Sequence, residues 1–341
     1  MQELIEISGD YLESGGQICR TAISLSAITK RPCHVFNIRK GRKEPGLKLQ
    51  HLMGIKAVAE LCNGKLENAK LGSTEIWFYP EKLEAKNLKI KIETAGSIAL
   101  CLQSLMIPAA NTERNVEIVF EGGATDTHFA PTLGYFENVL FPIIQKMNYR
   151  VDIEIKKRGY YPAGGSKVIV NIYPTKQPKS IELIKTGKLL KIYGLSHASK
   201  FLEKAKVAER QAKTAQEFLK SKIPIEIAVK YFDTLCSGSG IDLFAVFENS
   251  ILGANSLGEL GKPAEKIGED CAKFLMKQID SNACLDEHMA DQILIYMALA
   301  SSSEISVAEI TNHCKTTMWV IEKFLPVKFK INEKERIIKL F

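Results

Sequence analysis

Glu13-Ser-Gly-Gly-Gln-Ile-Cys-Arg20-Thr-Ala-Ile-Ser-Leu25 is the stretch from which the fold is read. A glycine pair interrupts the chain ahead of an amphipathic run. Ile18, Ala22 and Leu25 fall at i, i+4 and i+7 and form one apolar stripe, while Gln17, Arg20 and Ser24 form a polar one. The spacing returns further on, where Gly96-x-Ile98-x5-Ser104-Leu105 matches Gly16-x-Ile18-x5-Ser24-Leu25. So short a match also arises by chance, but repetition would build a lobe from similar α/β units, each a sheet backed by helices. The segment 130–147 is a candidate head for another copy.

Outward from that stretch, short strands alternate with helices to about residue 175. A second helix after Pro45-Gly46 buries Leu52, Ile55, Ala59 and Cys62, and a third begins near Gly96. Thr175-Lys-Gln-Pro-Lys-Ser180 reads as a linker. Beyond it come a strand at 188–196, a helix over 199–221, a strictly alternating strand from Ile223 to Tyr231, a strand at 241–248 and a helix from Pro263 to Asp280. That βαββα pattern predicts a smaller α/β domain over 181–281, inserted into a large lobe made of 1–180 and 282–341. In the last part, 290–300 and 317–324 read as helices. The fold class is α/β (α+β).

Composition narrows the partners without choosing one. With 341 residues, 45% hydrophobic and 25% charged, the chain is an ordinary globular protein of more than one lobe. Its net charge of +7 favours a polyanion, although many basic proteins bind no nucleic acid. Eight scattered cysteines form no Cys-x-x-Cys pair and no zinc-ligand spacing, which fits a reducing interior. The acidic amino-terminal run does not read as a signal peptide, and no apolar run is long enough to span a bilayer. The expectation is a cytoplasmic protein with no membrane association.

Several strings suit phosphate chemistry, and each also has a plainer reading. Glu13, Gln17 and Arg20 share one side if the first helix extends back to Glu13. The glycine pair beside them lets backbone amides approach an oxyanion, or simply caps a helix. Arg39, Lys40, Arg42, Lys43 and Lys48 crowd one loop, either solvated or aimed at an anion. In Arg158-Gly-Tyr-Tyr-Pro-Ala-Gly-Gly165 the tyrosines either stack on bases or pack under the turn. His313 lies just before a helix, where functional side chains are often presented, but chemistry does not follow from that placement alone.

In their order and spacing, these strings resemble the RNA 3'-terminal phosphate cyclase family almost end to end. The matching segments include Glu13–Arg20, Ile38–Leu47 with Gln50-His51, Ala95-Gly-Ser97 with Gln103, and Arg158–Gly165. They continue through Gly258–Ala264, Ala290-Asp-Gln292 and His313 with Glu322–Pro326. The resemblance implies three repeated βαβαβ-type units with the small domain inserted before the third. It further implies ATP-dependent conversion of an RNA 3'-phosphate to a 2',3'-cyclic phosphodiester, through a covalent histidyl-AMP enzyme and an RNA-adenylate, releasing AMP and pyrophosphate.

On that resemblance the nucleophile is His313 and the ligand of Mg2+ or Mn2+ is Glu13. ATP contacts fall on Gln17, Arg20, Arg39, Arg42, Gln50, Gln103, Pro131, His288, Asp291 and Gln292, with Asp291 either orienting the imidazole or binding ribose. This chain departs from the family pattern at Ser14, where glycine is frequent, at His288, where an aromatic is common, and at Gly134, where aspartate is usual. Two other readings compete: a ribosome-assembly relative, which lacks the histidine, and an enolpyruvyl transferase, which has more units and no insert.

Overall fold

A computed structural model describes residues 3–220, 223–300 and 302–341. The first unit runs β1 (Ile5–Ser8), α1 (Gly16–Thr29), β2 (Cys33–Phe36), α2 (Leu49–Leu61), β3 (Lys65–Glu67) and β4 (Ile76–Tyr79). The second runs β5 (Leu88–Ser97), α3 (Ile98–Ala110), β6 (Val116–Ala124), α4 (Leu133–Tyr135), a π turn (Phe136–Leu140), α5 (Phe141–Gln145), β7 (Val151–Lys157) and β8 (Lys167–Ile172). After β9 (Glu182–Leu183) the chain enters the inserted domain: β10 (Leu189–Ser199), α6 (Val207–Phe218), β11 (Ile225–Phe232), β12 (Ser239–Phe247), β13 (Ile251–Leu257) and α7 (Ala264–Asp280). It returns through α8 (Met289–Gln292), α9 (Leu294–Leu299), β14 (Glu304–Ser306), α10 (Asn312–Phe324), β15 (Phe329–Asn332) and β16 (Ile337–Leu340).

Three of the four sheets share one connectivity. In the first, β1 pairs parallel with β2, β2 antiparallel with β4, and β4 antiparallel with β3. The orders β5-β6-β8-β7 and β9-β14-β16-β15 repeat these senses strand for strand. Each parallel pair is joined through helix, because parallel neighbours need a crossover that a tight turn cannot supply. Each unit thus carries one strand more than the expected βαβαβ. The extra strand in the first unit, Lys65–Glu67, is too short for alternation to be legible. Glu182 and Leu183 pair with Glu304 and Ile305, so the first residues of the segment 181–281 belong to the third sheet.

Helix packing explains how these sheets create a site. α1 lies against α2, α3 and α10, so its polar stripe is enclosed as well as its apolar one, and Gln17 and Ser24 are buried beside Ile18, Ala22 and Leu25. The repeated serines meet: Ser24 Oγ donates to the Ser104 carbonyl at 2.7 Å. One apolar core runs through all three units, from Ile7 and Ile18 through Phe78, Ile118 and Tyr135 to Ile305 and Ile321. The inserted domain has its own core around Ile192, Ile241, Leu243, Cys271 and Leu275.

The inserted domain is βαβββα rather than βαββα. β13 was hidden because Gly253, Asn255 and Ser256 read as loop, yet its Leu252 and Ala254 are buried and it pairs along β12. The helix expected over 199–221 splits into a 3-10 turn, Lys200–Leu202, and α6, with Lys206 left-handed between them at φ 50°. Its expected end at residue 221 lies outside the described residues. α8 and α9 replace one continuous helix over 290–300. α10 begins at Asn312 rather than 317, because the Thr311 hydroxyl accepts from Cys314 N at 3.3 Å and caps it, a contact worth about 1 kcal/mol.

Candidate active site

His313 therefore sits inside the first turn of α10, and Gln17 of α1 meets it from the facing helix. Gln17 Nε2 donates to the His313 carbonyl at 2.9 Å and to Thr317 Oγ1 at 3.2 Å. A carbonyl only accepts, so the amide nitrogen must face it and Oε1 must face the ring. Oε1 is in contact with His313 Nδ1, which then carries the proton and leaves the Nε2 lone pair free. Burial lowers the imidazole pKa, and Arg42 and Arg20 lower it further against the opposing pull of Glu13. The ring is neutral at pH 7.

α1 starts at Gly16 and does not extend back to Glu13, because Leu12 and Ser14 adopt positive φ of 46° and 49°. Glu13 thus reaches the site from a loop, and the helix face it would have shared with Gln17 and Arg20 stops short of it. The backbone at Ser14 accounts for the frequent glycine there, and its hydroxyl accepts from Gly41 N at 2.8 Å, tying this loop to the cationic one. A Cβ on Gly15 would lie 3.7 Å from Arg42 Nη2 and 3.8 Å from His313 Cε1, so the glycine borders the space between those groups. A Cβ on Gly16 would overlap the His51 ring. His51 is buried and held neutral, chiefly by that burial and then by Arg20, Arg39 and Lys48. It carries no assigned role in the sequence reading; here it supports the glycine pair from below.

Three of the five loop cations face a carboxylate. Arg42 Nη2 lies 3.7 Å from Glu13 Oε2, Lys40 lies 3.7 Å from Asp10, and Lys48 pairs with Glu44. Arg39 donates to the carbonyls of Glu44 and Gly46 at 2.7 and 2.9 Å, which fixes the loop shape. Gln50 Oε1 rests beside Gly96 at the head of α3.

The first helices of the three units converge on one cleft. Arg20 comes from α1, Gln103 from α3, and Asp291 with Gln292 from α8, joined by Gln17 and Thr317. Gln103 Nε2 donates to Gln292 Oε1 at 3.1 Å, and Gln292 Nε2 to the His288 carbonyl at 2.8 Å. Burial pushes the Asp291 carboxyl up to about 7, with Arg20 opposing, and pushes Arg20 down to about 10, with Asp291 opposing. Arg20 stays charged at neutral pH, while the Asp291 carboxyl is held well above the ordinary carboxylate range, which leaves the cleft with a net positive tendency that suits a phosphorylated ligand.

His288 is exposed and stacks on Phe274 of the inserted domain, ring centroids 5.2 Å apart. Pro131 is half-buried on the loop before α4. Of the two tyrosines in the 158–165 turn, Tyr160 is buried and bonded to His197, whereas Tyr161 is exposed. Thr317 and the cap Thr311 were not singled out in sequence. Thr311 had a readable signal, a cap residue directly before a helical run; Thr317 acquires its partner only through the packing of α10 on α1. No helix among the described residues is long and apolar enough to cross a membrane.

Three sheets of one connectivity, a fourth with its own core and a histidine between a carboxylate and guanidinium groups define a mixed α/β protein with a candidate site where its helices meet. The chain belongs to the RNA 3'-terminal phosphate cyclase family, whose sequence profile matches residues 11–331. It is 41% identical over 341 residues to an RNA 3'-terminal phosphate cyclase of Methanopyrus kandleri, covering 97% of this chain and 96% of that protein. Proteins of the same name from Thermococcus kodakarensis and Pyrobaculum aerophilum are 41% and 42% identical. They cover 96% and 97% of this chain and 95% of their own length in both cases.

Proposed function

We propose that this chain is an ATP-dependent RNA 3'-phosphate cyclase with His313 as its nucleophile. The observation that carries the reading is the Gln17 amide, locked by the His313 carbonyl and Thr317 so that Nε2 keeps its lone pair. Nε2 attacks the α-phosphorus of ATP and pyrophosphate leaves. An oxygen of the RNA 3'-phosphate then takes the AMP from the imidazole. Finally the vicinal 2'-hydroxyl attacks that phosphorus, gives up its proton and expels AMP, closing the 2',3'-ring. Adenylylation is needed because the ring closure would otherwise have to expel oxide or hydroxide. A neutral imidazole suits both transfers, since it is nucleophilic at pH 7 and its phosphoramidate is labile.

Arg20 and Arg42 supply fixed positive charge where the β- and γ-phosphates would lie, and Arg39 holds the loop that carries Arg42. Glu13, a partly exposed carboxylate beside Arg42, fits the usual pattern for Mg2+ or Mn2+, in which one or two carboxylates share the ion with substrate phosphates. Such an ion would add neutralising charge on those oxygens. Gln103 and Gln292 form an amide pair facing the same cleft, and Asp291, beside Arg20, offers a carboxyl either to the ribose or to the orientation of the imidazole.

Incubating the protein with ATP and an oligonucleotide bearing a labelled 3'-phosphate tests this reading. Conversion to a phosphatase-resistant end is expected; a label that phosphatase still removes completely would exclude it. Gln17 is a positioning residue in this scheme, and Gln17→Ala should slow protein–AMP formation about 10–100-fold, as loss of a histidine-orienting partner commonly does. Gln17→Glu keeps the acceptor for Nδ1–H but stabilises the imidazolium, so the acid limb of its pH–rate profile should move to higher pH. Profiles identical to wild type in both variants would remove the positioning role.

A further inference from the structure

A second constellation lies where the inserted domain meets the second unit, and the proposed reaction uses none of it. Asp126 follows β6, His197 stands on β10 and Asp242 on β12; they are 1%, 0% and 2% exposed. Their donor atoms all lie within 4.8 Å of one another. Asp126 Oδ1 and Asp242 Oδ2 have no hydrogen-bond partner, although each lies 3.6 Å from His197 Nε2.

That distance separates two explanations. A proton on Nε2 would draw at least one carboxylate within about 3.2 Å, the usual limit for N–H···O. Two donors about 2.0–2.1 Å from one tetrahedral ion stand about 3.4 Å apart, close to what is found here. The remaining valences are already spoken for. Asp126 Oδ2 accepts from Thr125 Oγ1 at 2.5 Å and Arg158 Nη1 at 2.8 Å, and Asp242 Oδ1 accepts from Thr132 Oγ1 at 2.8 Å. Tyr160 Oη lies 2.6 Å from His197 Nδ1, the outer contact that orients a ligating imidazole. Arg158 Nη1 lies 3.4 Å from Nε2 and can only donate to its lone pair, so an ion on Nε2 has to displace that donor. Arg158 offsets one of the two carboxylates, and the other calls for a second cation, a bound ion or a protonated His197. A Cβ at position 134 would stand 2.6 Å from Asp242 Oδ2, so Gly134 is what makes room for this carboxylate.

We propose that Asp126 Oδ1, His197 Nε2 and Asp242 Oδ2 form a divalent transition-metal site, of the class that takes Zn2+, fastening the inserted domain to the second unit. The mixed nitrogen and oxygen donors suit Zn2+, Co2+ or Mn2+ and disfavour soft ions. Complete burial assigns it a structural role separate from any ion at Glu13.

Full-length protein carrying Glu13→Ala, so that an ion at that carboxylate does not count, is stripped with chelator and titrated with Co2+. Uptake of a single ion is expected, with the visible bands of a site in which three protein donors and one water surround the ion, and no thiolate charge-transfer band. Asp242→Asn, which keeps shape and the Thr132 contact, should lose that spectrum. Zn2+ should raise the melting temperature of the Glu13→Ala protein by about 2 °C or more and leave the Asp242→Asn form unmoved. No uptake by the stripped protein, or the same spectrum after Asp242→Asn, overturns the site. Should Asp242→Asn not fold, His197→Gln provides the same comparison, and the parent protein's own cobalt spectrum stands independently of both.

Discussion

His313→Ala should lower RNA 3'-phosphate cyclisation by at least about 10⁴-fold, the scale of losses on deleting a nucleophile, while leaving the fold intact. The side chain is half-buried at the start of α10, and its removal forfeits one contact with Gln17, a loss of about 1 kcal/mol. Melting close to wild type would therefore separate lost chemistry from lost structure. The wild-type enzyme has a matching pH signature. Burial, then Arg42 and Arg20, outweigh Glu13 and hold the imidazole pKa below its ordinary value. Adenylylation should hold through neutral pH and fall only at pH below about 6.5, the ordinary histidine range. An alanine variant with near-wild-type cyclisation would end the assignment.

Arg20→Ala should slow adenylylation by about 10²–10³-fold, the cost of removing one preorganised donor from a developing anion. Arg20 lies in the cleft with its charge opposed by burial and supported by Asp291. Removing it also leaves Asp291 without the partner that draws its pKa down, so that carboxyl should become more strongly protonated. Lysine is a poor replacement, since it lacks the planar fork that binds two oxygens at once. Single-turnover adduct formation and pyrophosphate release measure the effect. Release at the wild-type rate from Arg20→Ala would place the phosphates elsewhere.

Much of this arrangement was legible in the residues because periodicity survives packing. The stripe Ile18, Ala22, Leu25 and its counterpart after Gly96 reported two helices whose serines touch. Short or polar elements were not legible. β3 has three residues and β13 carries Gly253, Asn255 and Ser256, so each is a strand only because a neighbour supplies its hydrogen bonds. Within the site, His313, Gln17, Arg20, Gln103, Asp291 and Gln292 fall at the meeting of α10, α1, α3 and α8. Both ends of the Gln17 amide are engaged by α10. That pairing joins residues nearly three hundred positions apart, and no local pattern announces it. The condition for Glu13 to share a helix face with Gln17 and Arg20 is not met, because the positive φ of Ser14 is invisible to hydrophobic spacing.

The central claim is that the Nε2 lone pair of His313 forms a covalent bond to AMP. Peptide mapping by mass spectrometry after incubation with ATP and no RNA tests it most directly. The expected result is a single AMP on the peptide containing His313, lost in acid and stable in alkali, and chased onto added 3'-phosphate oligonucleotide. AMP on a lysine peptide, or cyclisation that proceeds with no adduct on His313, would contradict the account.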